Sequence, residues 1–188
     1  MDEIITIFKE SAKIKLQFVE ENADKIEKII NTIVRCFKEG KKLLIFGNGG
    51  SAADAQHIAA EFVNRYLLDR NPLPALALTT DTSVITSISN DVSFDEIFAR
   101  QILALGEKGD IAWGITTSGR SRNIIRAFEV AREIGLITLG FTGKDGGKVA
   151  SLVNYHLNVK SHITPRIQET QLTLAHVICE LVEKRMRK

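Results

Sequence analysis

A doubly wound α/β domain is the fold class this sequence predicts: a single five-stranded parallel sheet flanked by helices, with an N-terminal helical extension. Three observations predict it. Five short apolar runs alternate with helical patterns, the βα rhythm of a parallel sheet covered on both faces by right-handed crossovers. Two polar stretches rich in Gly, Ser and Thr follow directly after two of those strands, where ligands bind in such sheets. The 188 residues contain no repeat, low-complexity run or linker, and 44% hydrophobic with 26% charged residues suits one globular domain.

The elements follow in order. Residues 2–20 form a mixed helical stretch whose apolar residues, among them Ile4, Ile7, Phe8, Phe18 and Val19, lie off a single stripe. That pattern implies burial on more than one side, against another subunit. A second helix is expected through Ile26, Ile29, Ile30, Ile33, Val34 and Phe37, with Gly40 as its stop. Leu43–Phe46 is a short buried strand, and a glycine turn leads from it into a helix through Ala55, Ile58 and Phe62. Asn71-Pro72-Leu73-Pro74 breaks the chain before a second strand at 76–78, and the polar segment 79–91 holds a short helix. Phe94, Ile97, Phe98, Ile102 and Leu105 mark an amphipathic helix before a third strand at 111–115. A helix through Ile124, Ile125 and Phe128, strands at 136–141 and 155–159, and a long helix from about Arg166 to Lys184 complete the chain.

Composition excludes several classes of function. A formal net charge of +2 is too weak to argue for nucleic acid as a partner. The closing cluster Lys184-Arg185-Met186-Arg187-Lys188 reads as cations complementing a helix C-terminus. Cys36 and Cys179 fall inside helical apolar patterns and are expected to be reduced core residues. Met1-Asp2-Glu3 opens the chain without a basic or apolar leader, and no run approaches the roughly 20 apolar residues that span a bilayer. A cytoplasmic protein is expected.

The chemistry gathers at two loops. Gly47-Asn48-Gly49-Gly50-Ser51 lets backbone approach a ligand closely, and Ser51 is positioned to cap the helix that follows. An anion placed there would meet free N–H groups and the positive end of the helix dipole. Thr116, Thr117, Ser118 and Ser121 put four hydroxyls within six residues, with Ser121 as the expected cap of the next helix. Hydroxyls, N–H groups and dipole together suit a phosphate monoester without a lysine. One turn into the first of these helices, His57 and Glu61 share a face at i,i+4. With His176 and Gln168 on the last helix they are chemically suited to zinc, Gln168 being an unusual oxygen donor. Eight helical residues rise about 12 Å. Gln168 and His176 would therefore have to lean together, or serve sites across a subunit boundary.

Gly47 to His57, the Thr117-Ser118-Gly119 loop with Ser121, Thr142-Gly143-Lys144-Asp145-Gly146-Gly147 and Arg166-Ile167-Gln168-Glu169 together resemble the phosphoheptose isomerases of the sugar-isomerase (SIS) domain superfamily. The likeness covers nearly the whole chain. It implies one SIS domain over residues 1–188, residues 1–40 being the helical extension, in a homotetramer. It implies an aldose–ketose isomerase converting D-sedoheptulose 7-phosphate to D-glycero-D-manno-heptose 7-phosphate, at the start of bacterial heptose synthesis. Substrate contacts are then expected from Asn48, Gly49, Gly50, Ser51, Glu61, Asn90, Asp91, Thr116, Thr117, Ser118, Ser121 and Gln168. One Zn2+ per subunit is expected at His57, Glu61, Gln168 and His176, with Glu61 and His176 moving protons. Thr116, Arg120 and Pro165 depart from the family's commoner serine, asparagine and alanine or aspartate. The alternative is a non-catalytic SIS-domain protein that binds a replication initiator; the complete donor set argues against it.

Overall fold

The computed structural model describes residues 2–187; Met1 and Lys188, the ends of the leader and basic-cluster readings, lie outside the described residues. Five parallel strands form one sheet: β1 (Leu43–Gly47), β2 (Ala75–Ala77), β3 (Ile111–Ile115), β4 (Ile137–Gly143) and β5 (Tyr155–Val159), in the spatial order β2-β1-β3-β4-β5. Six α-helices surround it: α1 (Asp2–Lys38), α2 (Gly50–Val63), α3 (Thr82–Asp91), α4 (Ile97–Leu105), α5 (Arg122–Glu133) and α6 (Thr164–Met186). β3 and β5 have the expected bounds, and the remaining strands shift by one or two residues.

The chain winds one way from β1 to β2, then crosses back to build β3, β4 and β5 on the other side. The switch point therefore lies between β1 and β3, where doubly wound sheets open a crevice at their carboxyl ends. β1 and β3 are level there, Gly47 standing opposite Ile115.

Alternation along the strands divides the interior into two cores. Leu43, Ile45, Trp113 and Phe141 face α1, α2 and α6; Leu44, Phe46 and Ala112 face α4 and α5. Cys36 and Cys179 are free thiols buried in the first core. Burial pushes the Cys36 thiol up to about 12 and raises that of Cys179 as well.

The two N-terminal helices expected from the sequence are one. No glycine or proline interrupts residues 20–26, so the helix runs on for 37 residues while its apolar stripe drifts. Phe18 and the stripe from Ile26 onward belong to the main core, whereas Ile4, Ile5, Ile7, Phe8, Leu16 and Val19 are exposed. Among the described residues no helix is long and apolar enough to cross a membrane.

Candidate active site

Two loops meet at the switch point. After β1 the chain turns through Asn48 and Gly49, whose φ of 55° favours glycine, directly into α2. After β3 it passes through residues 116–121 into α5. Paired amides join the loops: Asn48 Nδ2 donates to Asn123 Oδ1 over 2.9 Å, and Asn123 Nδ2 donates to Asn48 Oδ1 over 2.8 Å. Asn123 is buried and also accepts from the Ile124 N–H. Its role was not read from the sequence; an amide just inside a helix start is the only signal it gives.

The two expected caps fare differently. Ser51 lies inside the first turn of α2 behind Gly49, and Gly49 has no side chain to cap with. Ser121 is the N-cap of α5, yet its hydroxyl makes no bond to the helix. Both helices thus present N-termini without a side-chain cap. The pocket between them is lined by Asn48, Ser51, Thr116, Thr117, Ser118, Ser121 and Gln168. Two uncapped helix ends flanked by hydroxyls make an electropositive, donor-rich cradle.

The hydroxyls divide the work. The buried Thr116 Oγ1 accepts from the Ser118 and Gly119 N–H groups at 3.4 and 3.3 Å, shaping the loop from within. Ser118 Oγ accepts from the Arg120 N–H. From below, Gln171 Nε2 on α6 donates to the carbonyls of Thr116 and Thr142, both over 3.1 Å, tying the ends of β3 and β4 together. Gly119, with φ 63°, packs backbone to backbone on Gly146 and Gly147 of the loop after β4. Arg120 and Asp145 form an ion pair across that seam.

The donor cluster sits further along α2. His57 Nε2 lies 3.0 Å from Glu61 Oε1 and 3.3 Å from His176 Nε2 on α6. All three donor atoms fall within 4.8 Å of one another. A tetrahedral zinc with bonds of about 2.0–2.1 Å sets its ligands about 3.3 Å apart, so the donor set fits. Asp54, one turn back on α2, is raised by burial against the opposing pull of His57 and His176. The Tyr66 ring lies against His176, centroids 5.6 Å apart.

Gln168 lines the hydroxyl pocket. Its amide nitrogen would stand 2.6 Å from a Cβ on Gly50, so it reaches the first turn of α2 and the hydroxyl pocket. Asn90 and Asp91 stand apart. They close α3, a helix with no buried residue, and bond to each other over 2.8 Å outside the pocket lining.

Fold and site together define the class. Residues 7–143 match the SIS domain family, which makes this an SIS-domain protein. The sequence is 53% identical over 184 residues to a phosphoheptose isomerase of Aquifex aeolicus, covering 98% of this chain and 96% of that protein. It is 54% identical over 182 residues to one of Thermodesulfovibrio yellowstonii, covering 97% and 90%. The solved phosphoheptose isomerase of Neisseria gonorrhoeae superposes with a TM-score of 0.91 at 39% identity, over 97% and 98% of the two chains. That of Francisella tularensis gives 0.93 at 35%, over 97% of each. The chain belongs to the phosphoheptose isomerase family.

Proposed function

We infer that this chain is an aldose–ketose isomerase acting on D-sedoheptulose 7-phosphate and forming D-glycero-D-manno-heptose 7-phosphate. The observation that carries the reading is that α2, which forms an anion cradle with the start of α5, also carries with α6 an acid–base cluster a few turns further on. The phosphate rests between the starts of α2 and α5, held by N–H groups and the hydroxyls of Thr117, Ser118 and Ser121. The backbone of Asn48, Gly49 and Gly50, with Ser51 and Gln168, lines the sugar's path from there toward Glu61. The family likeness also expects substrate contacts from Asn90 and Asp91, which close α3 outside that pocket lining.

Isomerisation moves one proton from C1 of the ketose to C2. Glu61 is suited to this work: its Oε1 engages His57, which leaves the other carboxylate oxygen to take the C1 proton and return it at C2. His176 serves the oxygens, giving a proton to O2 as the enediol forms and receiving one from O1 as it collapses. Tyr66 against its ring restricts the imidazole.

His57, Glu61 and His176 would hold one zinc per subunit. Bound there it would polarise the substrate oxygens as a Lewis acid. Gln168 is expected from the family likeness as a fourth donor, and its place in the hydroxyl pocket suits it to substrate contact as well. The exposed apolar residues of α1 favour a homotetramer, and residues 1–188 are best taken as one SIS domain working in the cytoplasm.

The test is incubation of purified protein with sedoheptulose 7-phosphate and identification of the product. The aldose 7-phosphate is expected; unchanged ketose would overturn the reading in favour of a non-catalytic SIS protein. Elemental analysis should find zinc in the purified protein and none in His57→Ala. Active, metal-free wild-type enzyme would leave His57 a positioning role only.

A further inference from the structure

The segment between α2 and β2 is bolted to α6 by a buried ion pair that the reaction does not use. Glu183 is 1% exposed. Its carboxylate accepts from the backbone N–H groups of Tyr66, Leu67 and Leu68, over 2.9, 2.8 and 2.8 Å, and from Arg70 Nε over 3.1 Å. The Arg70 guanidinium also donates to three carbonyls: Nη2 to Glu61 over 2.8 Å, Nη1 to Phe62 over 2.8 Å and Nη1 to Asn71 over 3.0 Å. The Glu61 and Phe62 carbonyls lie in the last turn of α2, where helix geometry leaves acceptors without partners.

Each end of this network leads to one candidate catalytic residue. Arg70 holds the main chain of Glu61 itself. Glu183 follows His176 by seven residues, about two turns on the same face of α6, and fixes the turn that lays the Tyr66 ring on that imidazole. The apolar seam between α2 and α6, where Ile58 and Phe62 belong to one core with Ala175 and Cys179, resists separation but sets register weakly. A fork of directional, charge-assisted bonds sets it tightly.

We propose that Arg70 and Glu183 are positioning residues that hold Glu61 and His57 on α2 at working distance from His176 on α6. The proposal rests on the reading of Glu61 and His176 as the proton-transfer groups. Because neither residue touches substrate, their loss falls on turnover and leaves the phosphate cradle intact.

Arg70→Lys keeps the charge and removes the fork; Glu183→Gln keeps the shape and removes the charge. Asp110→Asn is the control. Asp110 is also fully buried, accepts from two backbone N–H groups and pairs with Lys42, but it stands just before the central strand β3, at the end of the sheet opposite the crevice. All three variants should lose thermal stability. Arg70→Lys and Glu183→Gln should also lose at least about tenfold in kcat on sedoheptulose 7-phosphate, with KM nearly unchanged, as misplaced catalytic groups require. Asp110→Asn should keep its kcat. Equal kcat in all three at matched stability would overturn the proposal. A crystal structure of Arg70→Lys gives a reading independent of turnover. A His57 Nε2 to His176 Nε2 separation still at 3.3 Å, with the Glu61 main chain unmoved, would overturn it even if the substrate assignment failed.

Discussion

Gly119→Ala should weaken substrate binding far more than it weakens the fold. Gly119 has φ 63°, and a side chain there costs about 1–2 kcal/mol of backbone strain. The larger effect is steric. A Cβ on Gly119 would lie 2.6 Å from the Gly146 carbonyl carbon, and closer still to its oxygen. Carbon atoms pack at about 3.5–4.0 Å, so the two loops must part by about 1 Å. Gly147 meets Gly119 from the other side under the same restriction, a Cβ there falling 2.6 Å from the Ser118 carbonyl oxygen. The seam cannot yield by rotating a side chain, because both of its faces are backbone. Parting it stretches the 3.2 Å bond from the Val149 N–H to the Gly119 carbonyl and shifts Ser118 and Ser121 off the phosphate.

Misplacement of about 1 Å at a binding loop costs on the order of 10²-fold in kcat/KM, here expected mostly in KM. Gly40→Ala supplies the comparison. Its φ of 71° carries a similar strain, and nothing lies within 4 Å of the added Cβ. Both variants should lower Tm by a few degrees, at about 2–4 °C per kcal/mol for a chain of this size. Steady-state kinetics on sedoheptulose 7-phosphate then separates them. If Gly119→Ala and Gly40→Ala show the same KM, the backbone seam does not position the phosphate loop.

Three further outcomes follow from the site and its supports. Ser118→Ala and Ser121→Ala should each weaken sugar-phosphate affinity by about 1–3 kcal/mol, the range for hydrogen bonds to charged groups; unchanged affinity in both by calorimetry would move the phosphate elsewhere. Burial would raise the Glu183 carboxyl, but the Tyr66, Leu67 and Leu68 N–H groups and the Arg70 charge outweigh it and hold it below 4.5. Its stabilising effect is therefore present above that pH and lost as pH falls through the lowered value, so urea midpoints below pH 4.5 should fall less steeply in Glu183→Gln, and equal slopes would rule this out. Glu61→Gln should still bind substrate while losing at least about 10² in turnover, and the wild type should place deuterium from D2O at C2 of the product; near-normal turnover with no label would favour a hydride shift.

The sheet was legible because each strand is a short apolar run ending in a glycine, proline or hydroxyl loop. The placement of its crevice followed from strand order, which sequence alone did not supply. Residues 20–26 misled because a drift in the apolar stripe looks like a break when no capping residue decides the matter. Ser51 misled for a different reason: serine suits an N-cap, but Gly49 tolerates a φ that starts the helix two residues earlier. His57 and Glu61 were visible from their spacing, and His176 from its chemistry. Gln168 shared that chemistry, and only the packing of α6 against the start of α2 placed it with the hydroxyls. Asn123, Gln171 and Glu183 gave almost no signal, because each acts on main-chain or amide groups that come near only once the sheet has formed.

Position along α2 and α6 explains how one substrate can be held at both ends. In the proposed reading the start of α2 offers N–H groups and dipole to a phosphate, and its later turns carry His57 and Glu61. α6 runs alongside, with Gln168 at the cradle, His176 at the donor cluster and Glu183 beyond it. Gly50 and His57 are separated by seven helical residues, a rise of about 10 Å. Helices transmit such a spacing with little compliance, whereas a loop would let it vary. Loosening α6 against α2 at its Glu183 end would therefore disturb the acid–base groups, about two turns away, before the Gln168 contact, about four turns away. Loosening residues 116–121 would disturb only the phosphate. Variants at the helix seam should consequently separate from variants at the loop seam, the first in kcat and the second in KM, even though all of them surround one pocket system.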